Sequence, residues 1–434
     1  STLPFFPISQ EGVTVTLPTT VPTKEGTCGF SRWVRICDGT TVEPGGKILM
    51  TFARYYSQMR AEYLSHGDSN GDGFCDRCDT PIDKPSVSNG AYQISTKAQL
   101  AWFMQKVNKG ETSANAVLVN DIDMGGYEWT PITSTGLYYK TEGSDKGYAG
   151  TFDGAGYTIS NFKITASTTE EKTYGLFGTL SGTVKNLGIR NVTYNFPNGI
   201  KDLRAAGIVG QMLPGSTVTD CFVVDSSIAP GKYIVGGVAA CNYGGTISNC
   251  YTKNVTVKGD DRCGNLVSDT RADNSETDRR GTVINCYTDA ARVTGTQTGN
   301  LTSNCEAGVT ADRFASGEIA YRLGQAWGQT LGKDALPTPG KAQVYYGYTT
   351  CHRDQTDPIY TNRQTTSEKP GHRFNENYIC TVCELVCTHT EFAGGTCLCG
   401  KITGGYCGAD EDGKNLIWTL VDGLLTISGE GAMK

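Results

Sequence analysis

The sequence predicts an all-β-dominated protein built on a right-handed parallel β-helix, with capping helices and small flanking modules stapled by metal ions or disulfides. Three observations support this prediction: a short motif that recurs at intervals of about 30 residues, 55 glycines, and cysteines in separate groups. So much glycine with 38% apolar residues is typical of many short strands joined by turns. With about 150 residues per domain as a guide, a chain of 434 residues suggests two to four units of differing size.

Charge and hydropathy exclude several classes of protein. The net charge of −6 argues against a nucleic-acid scaffold, which normally carries a basic excess. No apolar run approaches the roughly 18 residues of a membrane helix, so we expect no membrane span. Residues 1–8 are apolar but lack the basic start of a secretion signal. We therefore expect a mature or excised piece of a longer secreted protein.

One six-residue motif recurs through the middle of the chain and defines the predicted coil. Each copy has an apolar β-branched residue, then Asn or Asp two positions later, then an apolar residue or cysteine. Asn and Asp tolerate left-handed backbone, so the chain can bend there and point the next side chain inward from a new face. This spacing fits neither a helix nor a flat strand and predicts stacked coils with a shared interior. The copies are residues 182–187, 216–221, 245–250 and 281–286, with a weaker copy ending at 305.

The cysteines of this motif are predicted to pack in the core. Cys221, Cys250 and Cys286 occupy the slot that Leu187 holds in the first copy, and leucine neither bonds to sulfur nor binds metal. Free thiols suit such buried positions. Stacked strands lie roughly 4.8 Å apart, so a disulfide between Cys221 and Cys250 stays compatible with the spacing.

Residues 115–124 and 150–162 read as earlier coils, and helices are predicted to cover the two open ends. A helix capped by Ser95 or Thr96 and running to about Asn108 has an apolar stripe that suits a lid on the first coil. Residues 311–327 are predicted to form the second helix.

Three segments, together with the Gly-Leu-Phe-Gly and Asn-Cys-Tyr copies, give the chain a family resemblance over about residues 90–345. It resembles the GLUG-repeat surface proteins of gut and other Gram-positive bacteria. That resemblance implies extracellular adhesion or surface display, and it brings no catalytic residue with it. The three segments are residues 92–103, 120–132 and 152–162.

An acidic loop near the N-terminus has the spacing of a calcium site. Oxygen ligands fall at loop positions 1, 3, 5, 9 and 12, glycine stands at position 6, and one backbone carbonyl lies at position 7. Residues 55–64 are predicted to be the entering helix of this EF-hand-like loop. The proposed Ca²⁺ ligands are Asp68, Asn70, Asp72, Phe74, Asp76 and Asp79.

The same region offers two rival arrangements. His66, Cys75 and Cys78 with Cys28 or Cys37 could hold zinc, or the cysteines could form two disulfides. We favour calcium together with disulfides here.

Near the C-terminus, two sets of three cysteines and one histidine predict closed zinc sites. The stretch is short and polar, so it needs a staple, and disulfides are the alternative outside the cell. Four protein ligands would leave no open position for catalysis. The predicted Zn²⁺ ligands are Cys351, His372, Cys380 and Cys383, and then Cys387, His389, Cys397 and Cys399.

The chain is accordingly divided into four parts. Residues 1–88 carry the acidic loop, 89–345 the β-helix with its caps, and 346–406 the cysteine- and histidine-rich modules. Residues 407–434 are predicted to form a β-hairpin that turns at Asp422-Gly423 and resembles the start of a leucine-rich-repeat region.

We expect a non-enzymatic adhesin or display module at the bacterial cell surface that binds glycan or a host or bacterial surface protein. One alternative is a self-assembling filament, in which residues 13–17 lend a strand to a neighbouring subunit. A second is a polysaccharide lyase or hydrolase, since β-helices host such enzymes and these need converging carboxylates. The acidic candidates for it are Asp121, Asp123, Asp153, Asp260 and Asp261.

Overall fold

The protein divides into two compact units in a computed structural model. The first comprises residues 1–284 and 292–302, and the second comprises 285–291 and 303–434. The four predicted modules stay a prediction, because this division does not test them. The described residues are 13–21, 24, 26–36, 38–50, 58–134, 147–165, 172–196, 203–229, 234–259, 263–268, 280–295, 301–351, 356–390, 392–393, 395–397, 399–400, 402–411 and 413–433.

The first unit opens with two small antiparallel sheets. In one, β1 pairs with β4; in the other, β2 lies between β3 and β5. The buried side chains of Leu17, Trp33 and Ile48 form the core between these strands. The strands are β1 (Val13–Thr16), β2 (Gly29–Arg35), β3 (Thr41–Val42), β4 (Lys47–Met50) and β5 (Met59–Leu64).

The helix predicted at residues 55–64 is wrong wherever the structure describes that segment. Met59–Leu64 is strand β5, and it pairs antiparallel with β2 in a register that places Tyr63 opposite Phe30. The rings of these two residues meet edge to face with centroids 6.2 Å apart. Cross-strand packing of this kind outweighs the segment's helix propensity. The acidic loop therefore follows a strand.

The remainder of the first unit is a β-solenoid, which we call the β-helix (residues 86–284). Its strands are two to seven residues long and separated by bends, as the recurring motif predicts. They are β6 (Ser86–Ser88), β7 (Ala91–Ile94), β8 (Asn115–Leu118), β9 (Ile122–Asp123), β10 (Thr151–Asp153), β11 (Thr158–Ser160), β12 (Lys163–Thr165), β13 (Thr173–Tyr174), β14 (Phe177–Leu180), β15 (Thr183–Lys185), β16 (Gly188–Arg190), β17 (Thr193–Asn195), β18 (Arg204–Ala206), β19 (Val209–Met212), β20 (Thr217–Thr219), β21 (Phe222–Ile228), β22 (Ile234–Gly236), β23 (Ala239–Asn242), β24 (Thr246–Ser248), β25 (Tyr251–Val257) and β26 (Thr282–Ile284).

Parallel pairing between successive coils confirms the parallel β-helix. One face runs β8, β10, β15, β20, β24 and β26, and the other three faces are built from β16-β21-β25, β13-β18-β22 and β14-β19-β23. Three successive turns thus contribute a strand to all four faces. The register along the longest face aligns the motif's apolar position, Val184 with Val218, then with Ile247 and Val283.

The predicted bends lie at the Asn or Asp of each motif copy. A left-handed residue there rotates the following strand onto the next face of the coil, and its side chain can bond to the adjacent coil. Asn249 Nδ2 donates to Asp220 Oδ1 at 3.2 Å, and Asn186 Nδ2 donates to Asp153 Oδ1 at 3.0 Å. The motif residues with positive φ are Asn186 (51°), Asp220 (53°), Asn249 (51°), Asn285 (52°) and Asn304 (52°).

The central cysteines are buried, as predicted. Cys221, Cys250 and Cys286 are fully buried, as is Leu187 in the equivalent slot. None of the three forms a disulfide. Burial raises the pKa of the Cys221 thiol well above its ordinary value, which keeps it protonated and unreactive. These cysteines therefore serve the core as small apolar side chains.

Helix α1 (Lys97–Asn108) covers the first coil, and its cap matches the prediction. Thr96 is the N-cap, and its hydroxyl accepts from the backbone N–H of Gln99 at 3.2 Å. On its buried side Phe103 contacts Tyr148 and Phe152, with ring centroids 6.2 and 6.0 Å apart. The helix therefore seals the apolar interior at this end.

The second unit contains short strands and two helices in place of the single predicted helix at residues 311–327. Gly317, with φ 88°, separates them, because its left-handed backbone ends one helix and begins the next. After β26 the elements are β27 (Tyr287–Thr288), β28 (Leu301–Ser303, whose first two residues belong to the first unit), α2 (Ala311–Ala315), α3 (Glu318–Leu323), β29 (Trp327–Gly328), β30 (Thr338–Pro339), β31 (Tyr345–Gly347), β32 (Ile359–Thr361), β33 (Phe392–Ala393), β34 (Thr396–Cys397), β35 (Thr403–Tyr406), β36 (Leu416–Val421) and β37 (Leu424–Gly429).

The C-terminal hairpin is confirmed. Strands β36 and β37 pair antiparallel from Leu416 opposite Gly429 to Val421 opposite Leu424. Asp422 and Gly423 form the turn with φ of 50° and 80°, as a two-residue turn of this kind requires. No helix among the described residues is long and apolar enough to cross a membrane.

Candidate metal centres

The first group of metal-ligating side chains gathers Cys28, His66, Cys75 and Cys78 at the junction of β2, β5 and the acidic loop. Their ligand atoms all lie within 4.8 Å of one another. Sγ of Cys75 is 3.5 Å from Sγ of Cys28, and Sγ of Cys78 is 3.5 Å from Nδ1 of His66. This is the rival zinc arrangement of the sequence analysis. Cys37, the alternative to Cys28, lies outside the described residues.

The second group contains Cys351, His372, Cys380 and Cys383, all four of them predicted from the sequence. Their ligand atoms likewise lie within 4.8 Å of one another. Sγ of Cys351 is 3.4 Å from Sγ of Cys380 and 3.3 Å from Sγ of Cys383, while Nδ1 of His372 is 3.4 Å from the Cys383 sulfur. The loop after His372 returns the chain to Cys380 and Cys383, and Cys351 joins them from 29 residues before Cys380.

The Cys-x-x-Cys turns of the two groups have the same backbone structure. The N–H of Cys75 donates to the carbonyl of Thr80 at 2.9 Å, and the N–H of Cys380 donates to that of Leu385 at 2.8 Å. The residue after each second cysteine, Asp79 or Glu384, has left-handed backbone with φ of 52° or 59°. Each turn therefore folds its two sulfurs toward the same point.

The link from each histidine to its turn is also shared. The residue after the histidine accepts a backbone hydrogen bond from the residue after the first cysteine: Gly67 from Asp76 at 2.9 Å, and Arg373 from Thr381 at 2.8 Å. The two groups are therefore copies of one local structure, placed in different units of the chain.

This equivalence gives the predicted calcium loop a structural role. Asp68 accepts backbone N–H bonds from Gly71, Asp72 and Gly73 at 2.7 to 3.2 Å. In the second copy, Asn375 accepts from the N–H groups of Asn377 and Ile379 at 2.9 and 3.0 Å. A neutral amide oxygen thus accepts the turn hydrogen bonds of the corresponding loop.

Two further acidic residues of the loop, Asp72 and Asp76, are engaged in a similar way. Asp76 accepts from the backbone and hydroxyl of Ser69, both at 2.8 Å, and Asp72 accepts from the N–H of Phe74 at 2.8 Å. Within the described chain, the gathered metal-ligating groups contain only cysteine and histidine. Calcium at Asp68, Asn70, Asp72, Phe74, Asp76 and Asp79 stays a prediction that these contacts do not support.

Gly73 and Phe74 dock this loop on helix α1. Phe74 is buried against Ala98 and Ala101. A Cβ on Gly73 would lie 2.5 Å from the Cβ of Ala98, and its φ is 83°. Glycine at loop position 6 is therefore required by the close approach of the helix, whether or not an ion binds.

The third group contains Cys387, His389 and Cys399, whose ligand atoms again lie within 4.8 Å of one another. Sγ of Cys399 is 3.8 Å from Nδ1 of His389, and Tyr378 packs edge-on against the imidazole, with centroids 4.5 Å apart. Cys397, the fourth predicted ligand, lies on β34, and its side chain is outside the described residues.

The thiols of the two four-ligand groups differ in acidity. A hydrogen bond from the backbone N–H of Arg77, together with one from His66, lowers the pKa of Cys75 to about 5, although burial acts in the opposite direction. The hydrogen bond between Cys28 and Cys78 instead raises the pKa of Cys28 to about 12. Burial likewise opposes ionisation of Cys380, yet nearby N–H groups and His372 lower its pKa to about 5. A stabilised thiolate beside further sulfurs is the environment that a soft cation requires.

These groups can hold a metal such as zinc. Three sulfurs and one imidazole nitrogen are the donor set of tetrahedral structural zinc. None of the cysteines whose side chains are described forms a disulfide, and the sulfur separations above exceed the roughly 2.05 Å of a disulfide bond. The disulfides that we favoured for the N-terminal group are thus not formed in this structure.

The carboxylates considered for catalysis serve the turns of the β-helix. Asp123 accepts from Asn161 Nδ2 and the Gly125 N–H, both at 2.8 Å, and these bonds lower its pKa. Asp121 accepts from the Thr158 N–H at 2.8 Å. Asp260 and Asp261 lie outside the described residues.

Fold and ligand groups together define a class, a β-solenoid protein that carries cysteine–histidine groups able to hold a metal. No family model matches the chain, and no curated protein matches it. Among solved structures, a protein named IgA1 Protease is similar, at 13% identity and a TM-score of 0.25. The match covers 65% of this chain and 25% of that one, so the chain spans a quarter of its length. Such a weak likeness carries no argument about function.

Proposed function

We propose that the protein is an extracellular, non-catalytic adhesin or display module whose β-helix presents a rigid surface to glycan or to a host or bacterial surface protein. The observation that carries the proposal is the use of the β-helix carboxylates. Asp123 and Asp153 each accept a hydrogen bond from an asparagine side chain of the neighbouring coil. These two carboxylates therefore hold successive coils of the β-helix together.

The acidity of these groups supports the same conclusion. A general acid at neutral pH needs a carboxyl group whose pKa is raised, normally by burial or by a like charge. Asp123 has a lowered pKa because amide and backbone N–H groups stabilise its charge. Asp153 bonds to Asn186 and lies 3.2 Å from Lys185 Nζ. The environment of Asp123 therefore favours a fixed carboxylate over a proton donor, and the Asp153 side chain is held in place by its two contacts.

In this proposal the three cysteine–histidine groups bind zinc as structural staples. With Cys28, His66, Cys75 and Cys78 in one group, four protein ligands fill a tetrahedral shell and leave no position for substrate. Zinc bound in this way contributes directly to folding.

The resemblance to GLUG-repeat proteins supports a bacterial, extracellular setting. The filament alternative is less favoured by the structure. Strand β1 pairs with β4 of its own chain, and Leu17 is 2% exposed in the adjoining core. The edge of β1 that pairs with β4 is therefore already used within the chain.

The test combines binding and turnover on the full chain. The reduced, metal-loaded protein is applied to a glycan array and to surfaces coated with host and bacterial cell-wall proteins, and the glycans bound are then incubated with it and analysed for cleavage. We expect binding without new reducing ends or unsaturated sugars. Cleavage that Asp123→Asn and Asp153→Asn abolish would establish the polysaccharide-enzyme alternative instead.

A further inference from the structure

Three tyrosines of the second unit form an exposed aromatic cluster. Tyr346 and Tyr360 lie opposite each other on β31 and β32, with ring centroids 4.6 Å apart. Tyr321 on α3 stands 5.8 Å from both rings. Tyr321 and Tyr346 are 44% and 41% exposed. Aromatic faces left open in this way are typical of recognition surfaces.

A shallow cavity of about 430 Å³ in the same unit is lined by polar groups. It is walled by the amides Asn285 and Asn304, the carboxylate Glu306, the guanidinium Arg322 and the phenol Tyr287. Its size falls within the roughly 300–1,000 Å³ of small-molecule sites. The cavity wall therefore combines hydrogen-bond donors and acceptors within a small area.

Arg322 connects the cavity to the aromatic cluster. Its guanidinium lies close to the phenol groups of both Tyr287 and Tyr360. Burial is the main cause of the raised pKa of each tyrosine, and the positive charge of Arg322 acts in the opposite direction. Glu318 fixes this arginine through a 2.9 Å bond to its Nε. The cavity and the tyrosine cluster thus share one positioned side chain.

We propose that the tyrosine cluster and the Arg322 cavity form one binding site for a neutral oligosaccharide. The inference rests on the proposed adhesive function and gives it a location. A pyranose ring offers an apolar C–H face, which stacks on tyrosine, and hydroxyls that both donate and accept, which match planar amide, carboxylate and guanidinium groups.

The balanced charges around the cavity favour a neutral ligand over an ionic one. Two arginines, Arg313 and Arg322, are balanced by Glu306 and Glu318 within one network. A site for sialylated or uronic-acid glycan would carry an excess of basic groups, as anion recognition generally does. A proline-rich peptide is the other ligand that aromatic grooves accept, but it lacks the hydroxyls that the cavity's paired donors and acceptors suit.

The test measures binding of defined probes to the full, zinc-loaded chain by calorimetry. Maltotriose, cellotriose and N-acetyllactosamine are the neutral probes; 3′-sialyllactose and a proline-rich peptide are the competing ones. We expect at least one neutral probe to bind, and Tyr346→Ala to weaken it about tenfold, as loss of one stacking contact of about 1.4 kcal/mol implies. Tyr345→Ala is the matched control, because strand alternation directs Tyr345 to the opposite face.

A second readout is independent of stacking. Hydrogen bonding with Cys286 lowers the pKa of Cys305, which lines the cavity, to about 7, so its thiolate reacts with iodoacetamide at pH 8. The bound sugar should slow alkylation of Cys305, as read by peptide mass spectrometry, in the wild type and the Tyr345→Ala variant. Glu306→Gln, which keeps the side-chain shape, should weaken binding without changing the fold.

The outcomes separate the site from the function. Sugar binding that Tyr346→Ala and Glu306→Gln leave unchanged would overturn this site and leave the adhesive function standing. The inference would also fall if every neutral probe failed to bind, or if the sialylated sugar or the peptide bound more tightly. Cleavage of a bound probe would contradict the non-catalytic function while the site itself stood.

Discussion

The β-helix and the C-terminal cysteine-rich segment achieve their folds by opposite means. Along the β-helix, whole rows of side chains are fully buried, among them Phe152, Phe177 and Ile247. In the described part of residues 346–406, the buried apolar residues are Ile402 and three cysteines, all three of which belong to candidate metal groups. Burial of apolar side chains stabilises the β-helix, whereas the C-terminal segment has few apolar residues to bury apart from its metal-ligating cysteines.

This difference predicts that stability depends on metal in one region and not in the other. Coils that stack on one another share a continuous core, so each coil stabilises the next. A short polar segment cannot offset its conformational entropy by burial alone and needs a cross-link. The N-terminal group is intermediate, because its loop also docks Phe74 on helix α1.

The largest expected effect is that of removing metal. Structural zinc contributes roughly 10–16 kcal/mol in small modules, so chelation should unfold residues 346–406 and leave the β-helix intact. Hydrogen exchange measured by mass spectrometry, with and without a chelator, checks this region by region. Equal protection of both regions before and after chelation would contradict the comparison, and re-addition of zinc is the control for reversibility.

The converse prediction concerns the β-helix core. Phe152→Ala removes a fully buried ring packed between Phe103 and Phe177, and should lower the free energy of unfolding of the first unit by about 3–5 kcal/mol. Thermal unfolding with parallel metal analysis should show unchanged zinc content. Val87→Ala, at a side chain that is 57% exposed, is the control and should change stability by less than about 0.5 kcal/mol.

Replacing one cysteine by alanine in each region should have different effects on stability and on metal content. Cys250→Ala leaves a small void in the β-helix and should cost about 1–2 kcal/mol with no loss of metal. Cys383→Ala removes a ligand and should release one zinc ion per chain and expose the C-terminal segment to protease. If Cys250→Ala also released metal, the core-packing role of the central cysteines would be wrong.

The smallest effect concerns charge in the second unit. Arg313 lowers the pKa of Glu318, which is 14% exposed. A carboxyl whose pKa is lowered by folding adds stability above its unfolded value of about 4.3, and this stability is lost as the pH falls through the folded pKa. Arg313→Met should therefore remove about 1 kcal/mol at pH 7 and flatten the loss of stability below pH 4. An unchanged acid profile would show that the ion pair contributes nothing.

The sequence predicted the β-helix well because each coil repeats local rules. The Asn bend and the inward residue after it recur with every copy, so Asn249 and Cys250 could be placed without knowledge of distant contacts. The hairpin at Asp422-Gly423 and the cap at Thr96 follow equally local preferences.

The N-terminal centre was harder because its partners are distant in sequence. Cys28 reaches the group through β2, and β5 was predicted as a helix, so the sequence named His66, Cys75 and Cys78 as one candidate zinc set but left the choice between Cys28 and Cys37 open. Oxygen spacing in the acidic loop also matches that of a calcium site, and Asp68 caps a turn there as Asn375 does in the second group. A usable signal was present: His66 precedes Cys75 and its Cys-x-x-Cys turn much as His372 precedes Cys380.

The most direct test of the account is native mass spectrometry of the reduced full chain with element-specific metal analysis. We predict three zinc ions per chain, with one lost in Cys75→Ala, one in Cys380→Ala and one in Cys387→Ala, and none lost in Cys250→Ala. A chain that binds no zinc and whose flanking cysteines are joined in disulfides would contradict the account.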